Sequence, residues 1–515
     1  MTPSAVRIPT DRKIDFEGLM ILDLANNHQG SVEHGRRIIR ETAAVIRSAG
    51  VRGAIKLQFR DLDTFIHPDF KNSTENKHIP RFLSTRLSED QFRELVEETR
   101  RQGMITIATP FDEASVDMLE RLGVEIVKVA SCSAGDWPLL DRISETGKPV
   151  ICSTAGLEIS EVDRIVSFFQ HRGVHFALMH CVAMYPTPNN RLDLNRIEIF
   201  RNRYPGVTVG FSTHEDPGNF QIVGVAYARG ARLFEKHVGV PTEEIKLNAY
   251  SASPEQVASW IAAYQTAVGA CGGEKLALRD AEEVSQLRAL MRGVFLRKDA
   301  PSATRLDRSD IYFAVPLHAD QLTSGEWKDG TTADRDYRAG EPLRAAARVP
   351  ADPRRQIIYG AIHAAKGMLN EARIPVGVEF NVELSHHYGV ENFREVGVMI
   401  IDCINREYCK KLLVQLPGQR HPSHYHKKKE ETFQMLSGVL ELEIEGFRKT
   451  LYAGDTLVVP RGVWHRFWTD TGAVFEEVST THFNDDSFYE DRTVARMPRE
   501  DRKTRLVNWG RHQFD

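Results

Sequence analysis

Short β-rich runs alternate with amphipathic helical stretches from residue 20 to about residue 270, and this alternation constrains the fold more than any other feature. Eight such pairs can be counted along the chain. The β-rich runs read MILDLANNH, GAIKLQF, MITIATPF, EIVKVAS, PVICSTA, VHFALMHCVA, VTVGFSTH and RLFEKHVGV. Eight β-then-α units in about 250 residues predict an α/β TIM barrel.

The chain is longer than one barrel. Its 515 residues exceed what a single hydrophobic core normally organises. We expect a barrel domain over residues 1–280, a small domain over 285–350 and a third domain over 355–515.

Composition narrows the class of partner and the compartment. A formal charge of -4 and a pI near 6.6 give no field of one sign that would favour nucleic acid or an anionic membrane, so small molecules are the expected partners. The six cysteines form no Cys-x-x-Cys pair, which is typical of a reducing cytoplasm. The polar N-terminal segment and the absence of about 18 consecutive apolar residues argue against secretion and membrane spanning.

Polar residues collect at the C-terminal ends of the β-rich runs, where barrel enzymes place their chemistry. They are Asn26, Asn27, His28, Lys56, Gln58, Thr109, Lys128, Ser131, Ser153, Thr154, His180, Ser212, His214, Lys236 and His237. Any one of them reads equally well as a satisfied polar group near a strand end. Together they predict an active site at this rim.

Two charge arguments suggest what the site binds. Lys56 and Lys128 in a barrel mouth are costly unless an anion neutralises them, which points to a phosphate or carboxylate ligand. His214 and His237 end neighbouring strands, and two neutral imidazoles can share one divalent cation that keeps open positions for a substrate.

The motifs of the barrel resemble those of the sialic acid (N-acetylneuraminate) synthases and their nonulosonate and spore-coat sugar relatives. The resemblance is carried by LANNHQG (24–30), AIKLQF (54–59), ATPFD (108–112), KVAS (128–131), GKPVICSTAG (147–156), HCVAMYPTP (180–188), GFSTH (210–214) and EKHVG (235–239). It implies that phosphoenolpyruvate condenses with an aldose to give a 2-keto-3-deoxy sugar acid and phosphate.

The resemblance also implies roles for single residues. His214 and His237 would hold manganese, which polarises the aldose aldehyde, and Gln58 and Tyr185 would line the acceptor-sugar site. The residues implied to bind phosphoenolpyruvate are Lys56, Thr109, Lys128, Ser131 and Ser212. Lys128 therefore has both a binding and a catalytic part in this expectation.

Several positions depart from the pattern of the synthases. Asp23 stands where they usually have Glu, and a general acid-base role is expected for it. Ser133 replaces a Glu, Ala183 replaces an Asn, and Asn248 with Ala249 replaces an Asp-His pair. Losing the partner of a sugar hydroxyl costs about 1–3 kcal/mol, so we expect an acceptor other than N-acetylmannosamine, with Asn248 still lining its site.

The segment from Arg288 to Val349 reads as short strands with polar turns and resembles the antifreeze-protein-like (SAF) domain that follows the barrel in these synthases. The resemblance implies a homodimer in which an Arg of this domain completes the neighbour's sugar site. Ala314, Val315 and Pro316 stand at the apparent equivalent of that Arg-Pro-Gly stretch, so the Arg is missing or relocated.

The third region contains two motifs with regular spacing. GQRHPSHYHKKKEETFQMLSG, with Gly418, His424, His426, Glu431 and Gly438, fits the first cupin motif, and GDTLVVPRGVWH, with Gly454, Pro460, Gly462 and His465, fits the second. We therefore predict an all-β cupin (double-stranded β-helix) here. His424 and His426 share one face of a strand, and with Glu431 and His465 they predict a site for a divalent metal such as Mn²⁺, Zn²⁺, Fe²⁺ or Ni²⁺.

The reaction of the cupin stays open, because this fold also serves binding modules. PSHYHKKKEE, KKLLVQLPGQ and FEEVSTTHFNDD resemble the D-lyxose isomerase branch, which implies interconversion of aldoses and ketoses, with Glu477 as a candidate to move the proton. The three lysines 427–429 could meet a phosphate, but a charge run is more often a solvated face.

Three hypotheses follow for the whole chain. It is a bifunctional isomerase and synthase, a synthase whose cupin only binds sugar or stabilises the assembly, or a barrel that has lost catalysis and binds metal and sugar. The retention of Lys56, Lys128, His214 and His237 favours a working synthase.

Overall fold

The computed structural model describes residues 14–71, 73, 75–273, 280–348, 353–377, 379–507 and 509. The polar N-terminal segment, residues 1–13, and the connection at 349–352 lie outside them. The chain divides into two compact units, residues 1–278 and 279–515. The three domain boundaries predicted above stay a prediction. Among the described residues, every helix is too short or too polar to span a lipid bilayer.

Eight parallel strands close into a barrel in which each strand pairs with its neighbours in chain order, so the predicted TIM barrel is confirmed. The strands are β1 (Leu19–Asp23), β2 (Arg52–Phe59), β3 (Ile105–Pro110), β4 (Ile126–Val129), β5 (Val150–Ser153), β6 (Phe176–Cys181), β7 (Thr208–Thr213) and β8 (Leu233–His237). The helices of this unit are α1 (Val32–Ala49), α2 (Leu62–Phe65), α3 (His78–Ser84), α4 (Glu89–Arg101), α5 (Glu113–Arg121), α6 (Trp137–Glu145), α7 (Ile159–His171), α8 (Asn195–Arg203), α9 (Ile222–Ala228) and α10 (Pro254–Cys271).

Local signals in the sequence set the helix ends. The Ser31 hydroxyl accepts the N–H of His34 at the start of α1, and Gly50, with φ 65°, ends that helix in the left-handed conformation. Ser88 and Gln91 form a reciprocal capping box at the start of α4. The chain therefore leaves each strand and returns to the next one at a defined point.

The inside of the barrel has two levels. At the N-terminal ends of the strands it is apolar, with Leu19, Ile21, Ile107, Ile126 and Leu233 among its fully buried members. Side chains on one face of a strand recur every second residue, so the next inward positions along the strands fall at the C-terminal mouth. The inward-facing residues are therefore apolar at the N-terminal ends of the strands, and the next inward-facing residues along the same strands form the polar site at the mouth.

The second unit opens with a small antiparallel region. It contains α11 (Ala281–Ala289), β9 (Gly293–Leu296) and β10 (Ile311–Ala314), and β9 pairs with β10 in antiparallel register. Its own small core includes the buried residues Leu296, Leu306, Ile311, Leu322 and Leu343. The expected region of short strands is confirmed, and Val315, just after β10, is exposed.

The rest of the second unit is the cupin. Its elements are α12 (Pro353–Glu371), β11 (Asn381–Ser385), β12 (Val398–Asn405), β13 (Tyr408–Gln415), β14 (His424–Tyr425), β15 (Glu431–Ile444), β16 (Phe447–Tyr452), β17 (Thr456–Val459), β18 (His465–Trp468), β19 (Ala473–Thr480), β20 (Phe488–Tyr489), α13 (Arg492–Arg496), α14 (Arg499–Arg502) and β21 (Lys503–Leu506). The long strand β15 pairs with β16, β17, β18 and β19. The antiparallel cupin is confirmed, but the expectation of purely β structure missed the 19-residue helix α12 that precedes its strands.

Candidate functional site

A cavity of about 770 Å³ opens at the C-terminal mouth of the barrel, and residues from all eight strands line it. Every barrel residue predicted for the site borders this one cavity. They are Asp23, Lys56, Gln58, Thr109, Lys128, Ser131, Tyr185, Ser212, His214, His237 and Asn248. The sequence did not single out Arg60, Cys181, Glu235 and Tyr250, which line it as well.

Four residues of the predicted polar rim do not line the cavity, namely His28, Thr154, His180 and Lys236. Lys236 is fully buried and its ammonium lies 3.1 Å from Glu215. His180 is held by the carbonyl of Leu192 at 2.7 Å. Lys236 in β8 and His180 in β6 each stand next to a residue that faces into the barrel. Because side chains alternate along a strand, these two face away from the cavity.

Lys56 is neutralised by the chain itself. Its Nζ lies 3.0 Å from Asp23 Oδ2 and 2.8 Å from Glu235 Oε1. Burial opposes the charge of Lys56, but the two carboxylates outweigh it and raise the pKa of the ammonium. The argument that an external anion must neutralise both lysines is therefore wrong for Lys56.

Lys128, unlike Lys56, makes no ion pair with the described residues. Its Nζ donates to Ser153 Oγ at 2.5 Å and to the Val129 carbonyl at 3.1 Å, and among the described residues no carboxylate lies within 4.0 Å of it. Burial lowers the pKa of Lys128. The buried Thr109 hydroxyl has no hydrogen-bond partner in the described structure. Lys128 and Thr109 therefore have donor capacity left for an anionic ligand.

The two histidines of the barrel are neutral and adjacent. The ring centroids of His214 and His237 are 5.2 Å apart. Burial and the neighbouring His237 lower the pKa of His214 to about 3, and burial lowers the pKa of His237. His214 Nδ1 is engaged with the Val182 carbonyl at 2.9 Å, and His237 Nδ1 with Asp23 Oδ2 at 3.2 Å.

Such a pair suits a divalent cation, because metal ligation requires neutral imidazoles whose second nitrogen is held by another group. In the part of the chain that the structure describes, no third His, Cys or carboxylate joins the pair in a close set of three. A cation held here would keep most of its coordination positions for substrate and water.

The cupin brings its four predicted ligands together. The ligating atoms of His424, His426, Glu431 and His465 all lie within 4.8 Å of one another, and all four side chains are buried. Glu431 contacts His426 Nε2 at 3.3 Å and His465 Nε2 at 3.1 Å. Three imidazoles and one carboxylate could hold a divalent metal ion.

Lys429 borders this cluster, so the solvated-face interpretation of the lysine run is wrong for it. Lys427 and Lys428 are exposed, whereas Lys429 is 3% exposed and contacts both Glu431 and Glu477. Lys429 stands two residues before Glu431, which places both on the same side of the chain. Although burial opposes it, the charges of Lys411 and Lys429 lower the pKa of Glu477 to about 2.

Two further histidines extend the cluster, and the sequence did not single them out. His387 and His421 are buried with their Nε2 atoms 3.0 Å apart, and the His421 ring lies 4.5 Å from that of His424 between centroids. His421 stands three residues before His424 in the first cupin motif, which was a usable signal. His387 comes from the end of β11 and gave none.

Comparison with known proteins identifies both parts of the chain. The sequence profile of the NeuB family matches residues 43–275, and that of the cupin domain matches residues 412–478. An uncharacterised protein of Methanocaldococcus jannaschii is 30% identical over 293 residues, which are 56% of this chain and 82% of that protein. The chain belongs to the NeuB family.

One further relative and a solved structure are also similar to this chain. N-acetylneuraminate-9-phosphate synthase of Drosophila melanogaster is 31% identical over 231 residues, 42% of this chain and 59% of that enzyme. A crystal structure from Chromobacterium violaceum, named for spore coat polysaccharide biosynthesis protein E, is 44% identical with a TM-score of 0.61. The alignment covers 65% of this chain and 100% of that one, and this chain also carries the cupin domain at residues 412–478.

Proposed function

We propose that the barrel condenses phosphoenolpyruvate with an aldose to give a 2-keto-3-deoxy sugar acid and phosphate, for surface-polysaccharide sugar biosynthesis. One observation carries the proposal: a single cavity combines a buried lysine that makes no ion pair with the described residues and two adjacent neutral histidines. An anion and a polarised carbonyl can meet there. The names of the synthases among the relatives support the same reaction type.

In this proposal Lys128 and Thr109 bind the anionic groups of phosphoenolpyruvate. Both are buried at the mouth, and both have hydrogen-bonding capacity that the described residues do not use. Ser131 and Ser212 complete the set, although the Ser131 hydroxyl already accepts the Ala155 N–H and Ser212 donates to Glu235. A charged donor in a buried site binds an anion more strongly than a neutral one.

His214 and His237 would hold a divalent cation, for which the family resemblance favours manganese. When bound, it supplies Lewis acidity to a substrate carbonyl. The chain contributes two neutral imidazoles, and it fixes both rings through the Val182 carbonyl and Asp23. Tyr185 packs against His214 with ring centroids 4.3 Å apart and closes one side of the place where the aldose would bind.

Bond formation joins the methylene carbon of phosphoenolpyruvate to the aldehyde carbon, and the aldehyde oxygen takes up a proton. Water then adds at the second carbon and phosphate leaves by cleavage of the carbon-oxygen bond. We assign the proton transfers to Asp23, which is buried and contacts both Lys56 and His237. Those contacts hold its carboxylate in place despite a side chain one methylene shorter than Glu.

The test is phosphate release from phosphoenolpyruvate with Mn²⁺ across a panel of free and phosphorylated aldoses. We expect release with one class of acceptor, and a loss of at least about 100-fold in His214→Ala. His171→Ala, which removes an exposed histidine of α7, is the matched control. Equal rates for wild type and His214→Ala would contradict the proposal, and so would the absence of release with every acceptor.

For the cupin we propose sugar binding at a divalent metal, with aldose-ketose isomerisation as the more specific candidate. The buried set of three histidines and Glu431 supports a metal that chelates neighbouring sugar oxygens. Glu477 lies 2.8 Å from Lys429 beside that set. Its lowered pKa makes it a weak base, so it is poorly suited to remove a proton from a sugar carbon. This favours binding over isomerisation.

Exchange of the C2 proton of aldoses with solvent distinguishes an isomerase cupin from a cupin that only binds sugar. Nuclear magnetic resonance of the full chain in D₂O, compared with His424→Ala, should show metal-dependent exchange if the cupin isomerises. Binding of a sugar without exchange would leave the cupin as a binding domain. The homodimer, the cytoplasmic location and the SAF-type identity of the middle region stay predictions, and sedimentation would measure the first.

A further inference from the structure

A group of three cations on one side of the barrel cavity takes no part in the roles above. Its members are Arg60, which follows β2, and Lys77 and Arg81, which lie before and within α3. All three line the same cavity as the histidine pair. Among the described residues, no carboxylate lies within 4.0 Å of any of them. We call these residues the cationic wall.

Arg60 is the anchor of the cationic wall. Its guanidinium carbon lies 3.6 Å from the ring centroid of Phe111 and 4.2 Å from that of Phe82. One amino group donates to Gln58 Oε1 at 3.1 Å, and Nε is buried without a partner in the described structure. Burial lowers the pKa of Arg60 to about 10, so it stays a cation at neutral pH. Two aromatic faces fix its plane and leave its edge free to bind a ligand.

The other two cations are exposed and reach the same side of the cavity. Lys77, Arg81 and Tyr250 line the same cavity. Burial raises the pKa of the Tyr250 phenol, and the charge of Arg81 opposes this rise. Tyr250 in turn packs against His237, with ring centroids 5.1 Å apart. The cationic wall therefore borders the space in front of the histidine pair.

This position bears on the acceptor rather than on phosphoenolpyruvate. The anion of phosphoenolpyruvate has its own donors, because Lys128 and Thr109 lie on β4 and β3. Arg60 is bonded to Gln58, a residue that we place at the acceptor sugar. The buried guanidinium of Arg60 feels the charges of Asp23 and Asp112, but no carboxylate of the described residues lies within 4.0 Å of it. A buried cation without a direct anionic partner is unfavourable in a resting protein, and an anionic substrate supplies that partner.

We propose that the acceptor is an aldose that carries a phosphate or carboxylate group, and that Arg60, Lys77 and Arg81 bind this group. The inference rests on the proposed synthase function and names the chemical class of its second substrate. A planar guanidinium held between aromatic rings suits either oxyanion, because both accept paired N–H donors. Neutral aldoses lack the group that the cationic wall would bind.

The kinetic test compares mannose, mannose 6-phosphate and mannuronate as acceptors. We expect kcat/KM for at least one charged sugar to exceed that for mannose by about tenfold or more. The double variant Lys77→Gln/Arg81→Gln alters exposed side chains only and should lower this ratio by about tenfold, and Arg60→Gln should lower it as well. Arg52→Gln removes the same charge at the opposite end of β2 and should leave the ratio unchanged.

Three kinetic outcomes would overturn the inference. The charged-to-neutral ratio could stay the same in the double variant and in Arg60→Gln. Alternatively, both variants could raise KM for phosphoenolpyruvate equally with every acceptor, which would assign the cationic wall to the other substrate. Turnover of neutral sugar with no preference would uphold the synthase and reject this inference.

If no acceptor is converted, a binding experiment can still test whether the cationic wall binds a charged sugar. Calorimetric titration of the full chain with mannose 6-phosphate, mannuronate or mannose needs no reaction. Tighter binding of a charged sugar that is lost in Lys77→Gln/Arg81→Gln supports the inference even if the condensation is absent. Equal binding of all three sugars rejects it.

Discussion

Glu235 contacts Lys56 at the barrel mouth and feels the charge of Lys128 without contacting it. Its Oε1 lies 2.8 Å from Lys56 Nζ and accepts the hydroxyl of Ser212 at 2.8 Å. Burial opposes its ionisation, but the charges of Lys56 and Lys128 outweigh this and lower its pKa below the ordinary 4.5. If Glu235 loses its charge, Lys56 keeps Asp23 alone as a partner.

Replacing Glu235 by Gln should lower the free energy of unfolding by about 3 kcal/mol at pH 7, because it breaks a buried ion pair. Since the folded pKa is depressed, the stability from this charge is complete above pH 4.5 and is lost as the pH falls further. The difference in the free energy of unfolding between wild type and Glu235→Gln should therefore become smaller below about pH 4.5. Urea denaturation at several pH values measures it.

Glu215→Gln is the matched control for this variant. It breaks the buried pair with Lys236, which does not line the cavity. We expect Glu215→Gln to lower stability without weakening the binding of phosphoenolpyruvate, whereas Glu235→Gln should affect both. Unchanged stability and unchanged binding in Glu235→Gln would contradict the role of this carboxylate in the network.

Single residues were predictable where strand alternation fixed them. Lys56, Thr109 and Lys128 follow inward apolar residues by two positions, and the sequence placed them at the mouth. Glu235 has the same spacing from His237 and was missed, because the pattern says nothing about its long-range partner Lys56. Lys429 was missed for a similar reason, since its carboxylate partner Glu477 lies 48 residues away.

At the level of elements, a glycine sets the course of β15. Gly438 has φ 81°, and the register of β15 with β19 shifts between Met435 and Ser437. A Cβ at Gly438 would lie 2.1 Å from the carbonyl oxygen of Gly472. Both the conformation and the space therefore require glycine here.

Gly438→Ala should destabilise the cupin by about 3 kcal/mol or more, since overpacking adds to the strain of a left-handed alanine. Gly454→Ala is the matched control. Gly454 has φ 97° but no heavy atom within 4 Å of an added Cβ, so about 1 kcal/mol is expected from the backbone alone. Thermal unfolding followed by circular dichroism compares them, and equal losses in the two variants would contradict this explanation.

Periodicity predicted the barrel strands but missed the helices of the cupin region, the longest of which is α12. The eight barrel strands follow from short apolar runs bounded by turn residues, and the structure has all eight. Helix α12 was overlooked although its buried residues Ile358, Ala361, Ile362, Ala365 and Leu369 have helical spacing. The helix has polar and apolar residues around its whole surface and is followed by strands, so the switch from helical to strand periodicity was not recognised.

On the scale of the whole molecule, each unit has a core of its own. Barrel and helices enclose one set of buried apolar residues in residues 1–278, and the cupin strands and α12 enclose others in residues 279–515. Glu431 in the cupin also has an ammonium partner, Lys429, supplied by the chain. Folding of the second unit should therefore not depend on a metal.

Removal of metal tests this. In EDTA the chain should keep cooperative thermal unfolding. Excess Mn²⁺ or Zn²⁺ should raise the unfolding temperature, because a metal that binds only the folded state at 100 times its Kd adds about 2.7 kcal/mol to the free energy of unfolding. His424→Ala should reduce the rise for the cupin transition. Loss of cooperative unfolding in EDTA would show that the histidine cluster needs its ion in order to fold, against this prediction.

The order of the parts along the chain was predictable, because barrel, antiparallel region and cupin each have their own periodicity or motif. The charge state of the sites was not. Whether Lys56 and Lys429 are neutralised depends on carboxylates from other strands, and a single sequence without strand pairing cannot identify them.

The four partners of β15 also limit how the cupin can open. Glu431 is the first residue of that strand, and its backbone pairs with β17 on one side and β19 on the other. Local fraying cannot release it, since both neighbours must separate first. Amide protons of β15 should therefore exchange only when the whole sheet opens, which makes this strand a natural reporter of the global stability of the domain.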